Sequence, residues 1–244
     1  MTRTFRLVPL LLGLVVTACA PASTTTPPAA VAAAPLDALC AGVPACKRVA
    51  TVDDDGDSRV DQVGVAGVKL ADGGQIVVRV RTATGQTLQT TGRRVHWFAK
   101  PFFGAAPLDG RRGAEIVVGD TMGAHYQQFR VITYRAGKLV TLKAPPLVWS
   151  KDGANRPTSR WAVDGSYRFN TGVTRSVSAD RSVMLTMRTL ERRDSGRGHV
   201  GQATHYRWSG GRWVKVSAQS LRVSSDKRAY AVGGWHVPGL RRFV

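Results

Sequence analysis

From residue 37 onward, apolar and polar residues alternate with a period of two in short runs. Gln75 to Arg81 sets Ile76, Val78 and Val80 against Val77, Arg79 and Arg81, the pattern of a strand with one buried face. Gln127 to Tyr134 opposes Phe129 and Val131 to Arg130 and Ile132, and Ser182 to Arg188 repeats the pattern with Val183, Leu185 and Met187. Two links read as hairpins. Tyr134-Arg135-Ala136-Gly137-Lys138 joins two apolar runs, and Ser209-Gly210-Gly211 joins the aromatic runs Tyr206 to Trp208 and Arg212 to Val216. Helix signals are scarce, and no βαβ unit carrying the glycine fingerprint of a nucleotide-binding sheet is evident. The expected fold is therefore all-β, one domain over residues 37–244 that is either propeller-like or a β-sandwich.

The amino-terminal segment, up to residue 36, follows different rules. Arg3 and Arg6 precede an apolar run from Leu7 to Val16 that is too short to span a bilayer. Val16-Thr17-Ala18-Cys19 resembles a lipobox, which implies a signal peptide over 1–18, cleavage before Cys19 and lipidation of its thiol. The mature chain is then expected outside the cytoplasm, with the membrane as its first partner through that lipid. Residues 19–36 are rich in Ala, Pro and Thr, the composition of a semi-extended tether. Cys40 and Cys46 remain, six apart, in a compartment that permits oxidation, and a disulfide between them is expected. Two thiols without a nearby His or further Cys cannot complete a zinc site.

Five of the sixteen acidic residues crowd into Asp53-Asp54-Asp55-Gly56-Asp57-Ser58-Arg59-Val60-Asp61. The spacing directs Asp53, Asp55, Asp57 and Asp61 toward one centre, and an oxygen-only donor set suits a hard cation such as calcium. A helix-loop-helix calcium hand is the poorer reading, since Ser58 stands at the obligatory glycine and Gly64 where a bidentate Glu belongs. The motif has an echo. Asp55-Gly56 stands ahead of Asp61, and Asp109-Gly110 stands ahead of Glu115 at the same interval. Asp164-Gly165 before Asn170 is a weaker third copy. Residues 53–65 resemble the calcium loops of FG-GAP and VCBS-type repeats, the blades of integrin-like propellers, with Ser58 in place of the second Gly. The resemblance implies a propeller-like, non-enzymatic protein. Residues 107–119 look like a degenerate copy in which only Asp109 and Glu115 could ligate. The whole chain also looks like small lipoproteins of actinobacterial type.

Charge narrows the partners. The formal net charge is +19, and Glu191 to Val244 hold eleven cations against three acids, interleaved with Tyr206, Trp208, Trp213, Tyr230, Trp235 and Phe243. Arg207, Arg212, Lys215, Arg241 and Arg242 are the candidate anion-binding residues, for stacking beside cations suits sugars and acidic groups alike. An anionic wall polymer or another envelope protein is expected rather than nucleic acid. No H-E-x-x-H or G-x-S-x-G motif occurs. Ser224-Ser225-Asp226-Lys227 has the S-x-x-K spacing without its companion motifs and reads as a turn. His199 and His205 lack a third ligand and read as exposed loop residues. Glu115, Asp120 and Asp164 are too dispersed to pair as acid and base. The chain thus reads as a lipid-anchored envelope binding or scaffold module with one calcium-stabilised loop, and not as an enzyme. A wall hydrolase and a partner-docking lipoprotein are the alternatives.

Overall fold

The structure, a computed structural model, describes residues 36–70, 73–94, 100–122, 127–148, 160–165 and 168–242. The signal-like segment, Cys19, most of the tether, His96, His125 and Phe243 lie outside the described residues. A short helix α1 (Leu36–Cys40) leads into a meander of β1 (Lys47–Val52), β2 (Asp61–Leu70), β3 (Gly73–Arg81) and β4 (Thr87–Arg94). A second meander follows, with β5 (Phe102–Ala106), β6 (Glu115–Met122), β7 (Gln127–Arg135) and β8 (Lys138–Leu142). The remainder is β9 (Trp161–Gly165), β10 (Phe169–Val177), β11 (Val183–Arg192), β12 (His199–Ser209), β13 (Arg212–Val223), helix α2 (Asp226–Val232) and β14 (Gly234–His236). The first meander is a sheet in chain order. The rest form one hydrogen-bonded path, β5-β6-β7-β9-β10-β11-β12-β13, with β8 on β7 and β14 on β10. All pairs are antiparallel except β10 with β14.

The fold is all-β and sandwich-like, and among the described residues no sheet closes on itself. Its middle layer is buried on both faces. Val63, Val65, Ile76, Val78 and Val80 of the first sheet pack on Ile116, Val118, Ile132 and Leu139. From the opposite face, Val117, Phe129 and Val131 pack on Trp161, Val173, Leu185, Met187, Tyr206 and Trp235. This explains the unbroken run Ile116-Val117-Val118, because a strand between two cores needs apolar residues at every position. Phe129 meets Phe103 and Trp235 edge-on, with centroids 4.5 and 5.5 Å apart. Burying an aromatic of this size stabilises the fold by about 2–3 kcal/mol relative to leaving it exposed.

Both expected hairpins occur. Ala136 and Gly137 turn β7 into β8 with φ of 47° and 80°, and Gly210 and Gly211 turn β12 into β13 with φ of 57° and 77°, the backbone of a two-residue turn with both central φ positive. Cys40 and Cys46 are joined by a disulfide with Cα atoms 5.5 Å apart. It lies over Gly64, where a Cβ would come within 3.1 Å of the Cys46 sulfur. Two expectations fail. Ser224 to Lys227 is not a plain turn but the start of α2, whose N-cap Ser225 accepts a hydrogen bond from the Arg228 N–H. His199 and His205 are not on a loop but on β12, and His199 is 1% exposed. The glycines beside them are spacers: a Cβ at Gly201 would strike the Thr189 carbonyl of β11.

The two meanders repeat in step. Asp61 and Glu115 open β2 and β6, and the interval between them is also the interval from Gly73 to Gln127 and from Arg81 to Arg135, the ends of β3 and β7. The loop bonds repeat as well. The Asp54 N–H donates to Asp61 Oδ2 at 2.8 Å and the Leu108 N–H to Glu115 Oε2 at 2.5 Å. The Asp57 N–H donates to Asp55 Oδ1 at 3.1 Å and the Arg111 N–H to Asp109 Oδ1 at 2.9 Å. Asn170, fully buried at the start of β10, follows Glu115 at nearly the same interval.

The two loops also interlock. The Ala114 N–H donates to the Asp53 carbonyl at 2.8 Å. Gly113 (φ 95°) lies so close that a Cβ would stand 2.4 Å from the Asp54 carbonyl oxygen. Gly113→Ala is therefore expected to destabilise the protein by about 3 kcal/mol or more. Gly137→Ala, at similar φ but with open space around it, is expected to cost only about 1–2 kcal/mol. Denaturant midpoints of the two variants check this; equal losses would show that the loops do not interlock.

Candidate functional site

Three groups of side chains have the chemistry of a site. The first is the acidic loop ahead of β2. Asp53, Asp55 and Asp61 each bring one carboxylate oxygen to a common point, all within 4.8 Å of one another, and this cluster can hold a metal ion. Main-chain donors fix it: Gly56 and Ser58 N–H groups bind the two oxygens of Asp53 at 2.7 and 3.0 Å. The Ala83 N–H binds Asp61 Oδ1 at 2.8 Å. Asp57 is not in the cluster. Its carboxylate takes the Arg59 guanidinium at 2.6 Å on the exposed side of the loop, and that pairing holds its carboxyl below the usual range. Ser58 has φ of 70°, a left-handed backbone that glycine adopts with least strain, at the position where the repeat pattern has glycine.

The cluster is short of positive charge. Burial raises the Asp55 carboxyl above its ordinary range. Asp54, 2% exposed, has neither carboxylate oxygen hydrogen-bonded among the described residues. Burial, with Asp61 and Glu115 nearby, pushes it up to about 8. The second loop solves the same problem internally. Arg135 Nη2 pairs with Asp109 and lies 3.6 Å from Glu115 Oε1, so a guanidinium sits between the counterparts of Asp55 and Asp61. Arg81, which ends β3 as Arg135 ends β7, instead donates to Thr87 Oγ1 at 3.2 Å.

The second group lines a cavity of about 430 Å³ beneath the β12–β13 turn. Trp208 and Trp213 form its aromatic wall, with Arg135, Lys143 and Arg212 beside them. The rings are edge-on at 5.0 Å. Trp213 Nε1 is held by the Lys143 carbonyl at 2.8 Å, while Trp208 Nε1 has no hydrogen-bond partner among the described residues. The third group, Arg193, Arg197, Arg222 and Arg228, lines a cleft of about 460 Å³ at the far end of the same hairpin. Among the described residues, no carboxylate lines either cavity.

The expected anion-binding set is dispersed. Arg212 reaches the aromatic groove, whereas Arg207 and Lys215 are exposed and line neither cavity. Arg241 lies over the Phe103 ring at 4.4 Å and donates to the carbonyls of Lys100 and Phe102, and Arg242 donates to the Ala231 carbonyl at 2.9 Å. These two hold the carboxyl-terminal segment in place. Sequence reasoning misses Arg135 and Lys143, which the β7–β8 hairpin brings under a turn that comes much later in the chain. Tyr206, Trp161 and Trp235 are core, and Tyr206 and Trp161 satisfy their polar atoms on the carbonyls of Pro146 and Leu142. Glu115 is 1% exposed and also accepts from Thr133 Oγ1 at 3.0 Å, while Asp120 pairs with Arg130 and Arg160.

Burial, reinforced by Asp109, raises Glu115 to about 7, against the hydrogen bonds from Leu108 and Thr133 and the charge of Arg135. The unfolded chain therefore loses this proton first. Stability falls as pH rises from about 4.5 to about 7, by up to about 3 kcal/mol, and this penalty then stays constant. Glu115→Gln is expected to remove this part of the fall in melting temperature between about pH 4.5 and about pH 7 in EDTA. Asp54, ionising higher, keeps its own decline in the variant, reduced only by the loss of the nearby Glu115 charge. An unchanged pH profile in the variant would contradict the assignment. Compared with known proteins, the chain matches no protein-family model, no curated protein and no solved structure, so a functional reading rests on its own sequence and geometry.

Proposed function

We propose that the protein is a lipid-anchored envelope module that binds an anionic, sugar-bearing surface component in the groove beneath the β12–β13 turn. The observation that carries this reading is the lining of that groove: two tryptophans with Arg135, Lys143 and Arg212 around them and, among the described residues, no carboxylate. Indole faces favour the apolar faces of sugar rings, and Lys143 and Arg212 favour their acidic substituents, Arg135 being held by Asp109 and Glu115. A lining without an acid favours binding over hydrolysis, which needs paired carboxylates across the bond to be cut. The lipobox-like Val16 to Cys19 and the Ala/Pro-rich stretch behind it support placement on the outer face of a membrane.

The loop at 53–61 is proposed to hold calcium in a structural role. Two observations support this. Its spacing resembles FG-GAP and VCBS calcium loops, and its repeat partner holds a guanidinium where the first loop has only acids. Asp53, Asp55 and Asp61 would supply ligands, and the ion would offset their repulsion and steady the loop that leads into β2.

The groove is tested by intrinsic tryptophan fluorescence of the full chain during titration with a carboxylated tetrasaccharide, tetragalacturonate, and with uncharged maltotetraose. A saturable change with the acidic sugar alone, lost in Lys143→Gln/Arg212→Gln, is expected. No response in the unaltered protein, or the same response in the variant, would overturn the reading.

A further inference from the structure

The second cleft is a separate construction. The turn between β11 and β12 is closed by the Arg193 N–H on the Gly198 carbonyl at 3.1 Å and the Gly196 N–H on the Arg193 carbonyl at 2.9 Å. Arg193 and Arg197 therefore stand at its two shoulders. Gly198, at φ 71°, lets the turn settle on β13; a Cβ there would stand 2.6 Å from the Val223 carbonyl oxygen. Arg222 arrives from the end of β13, opposite Val200 in the ladder, and Arg228 from the first turn of α2. Four exposed arginines from three separate elements thus line one cleft.

Four like charges at one place repel unless acids intervene, and here the local acid is spent elsewhere. Asp226 is taken by Arg192 at 3.1 Å, with His199 Nδ1 3.9 Å away. Arg192 also donates to the Gly196 carbonyl at 2.8 Å, tying helix, strand and turn together. Among the described residues, the side chains of Arg193, Arg197, Arg222 and Arg228 form no ion pair. Neither Asp194, within the turn, nor Asp226 lines the cleft. One arginine thus ties the frame together, and four others line the cleft without an ion pair among the described residues.

We infer that this cleft is a phosphoryl-binding site, in which Arg193, Arg197, Arg222 and Arg228 take the phosphate ester of an envelope molecule. Planar guanidinium forks match phosphate oxygens two at a time. A phosphate monoester or two adjacent diesters offer the charge and the number of acceptors that four forks can use, whereas a single carboxylate offers one charge and two oxygens. A cavity of about 460 Å³ lies within the range of small-molecule sites, about 300–1,000 Å³, and has room for the group the phosphate is attached to. The site is independent of the tryptophan groove. They occupy opposite ends of the β12–β13 hairpin, roughly 30 Å apart at about 3.3 Å per residue, so each reading can fail without the other.

The test is calorimetric titration of the full chain carrying Cys19→Ser, so that no acyl group contributes, with pyrophosphate and with citrate as a carboxylate of comparable charge. Saturable pyrophosphate binding is expected. It should weaken at least about tenfold in Arg222→Gln/Arg228→Gln, and less than about threefold in Lys47→Gln/Arg48→Gln, which removes the same charge from exposed positions of β1. Equal losses in the two variants, no saturable binding, or citrate binding as tightly as pyrophosphate would overturn the inference. Sedimentation with vesicles of phosphatidic acid, a phosphate monoester, in a phosphatidylcholine background then separates the sources. Cleft-dependent retention that pyrophosphate competes away assigns a lipid headgroup. Pyrophosphate binding without retention assigns a soluble or polymeric phosphate.

Discussion

A buried carboxylate at the head of a strand, reaching back to accept a main-chain N–H from the loop before it, is the interaction on which the rest of the molecule depends. Asp61 plays this part for the first meander and Glu115 for the second. Each closes a loop of similar shape, and the loops grip each other through Gly113 and the Ala114 N–H. That grip lies beside the core where the first sheet meets the second. Both carboxylates are nearly inaccessible to water, so each needs donors or a cation to offset desolvation. Glu115 finds Leu108, Thr133 and Arg135. Thr133 and Arg135 also line the tryptophan groove, so the clamp that orders the second loop also sets part of the groove wall.

Much of the fold is legible in the sequence because alternation is a direct readout of a strand between core and water. β3, β7 and β11 lie where the period-two runs fall, and both hairpin turns contain glycine at a positive φ, although Ala136 takes its φ of 47° without that freedom. Ile116-Val117-Val118 is harder to read, since a strand buried on both faces loses its periodicity. The helix α2 is hidden because so short an element carries little pattern, and its Ser225 cap looks like a turn residue in isolation. His199 is misread because the glycines flanking it signal a loop, whereas here they let neighbouring backbone approach.

The site residues are legible only where they are local in sequence. The acidic loop can be found because its ligands lie between Asp53 and Asp61, although Asp57 leaves the cluster for Arg59, a choice that spacing alone does not reveal. The basic surface does not resolve in the same way. Its arginines are divided among carbonyl-binding struts such as Arg241 and Arg242, the groove, and the four-arginine cleft. Which arginine serves which purpose depends on long-range strand register, so a net charge of +19 describes several separate devices and not one patch.

On the proposed reading, the first loop takes up an external cation where the second carries Arg135. This uptake is tested most directly by thermal unfolding of the full chain in EDTA and across a calcium titration, with Asp55→Ala alongside. With dissociation constants of about 0.1–1 mM for loops of this kind, calcium at about 10 mM should raise the melting temperature by about 3–8 °C. That rise is expected in the unaltered protein, and its loss in Asp55→Ala. No rise, or an equal rise in the variant, would contradict that reading and leave the acidic cluster a solvated turn held by its own N–H groups.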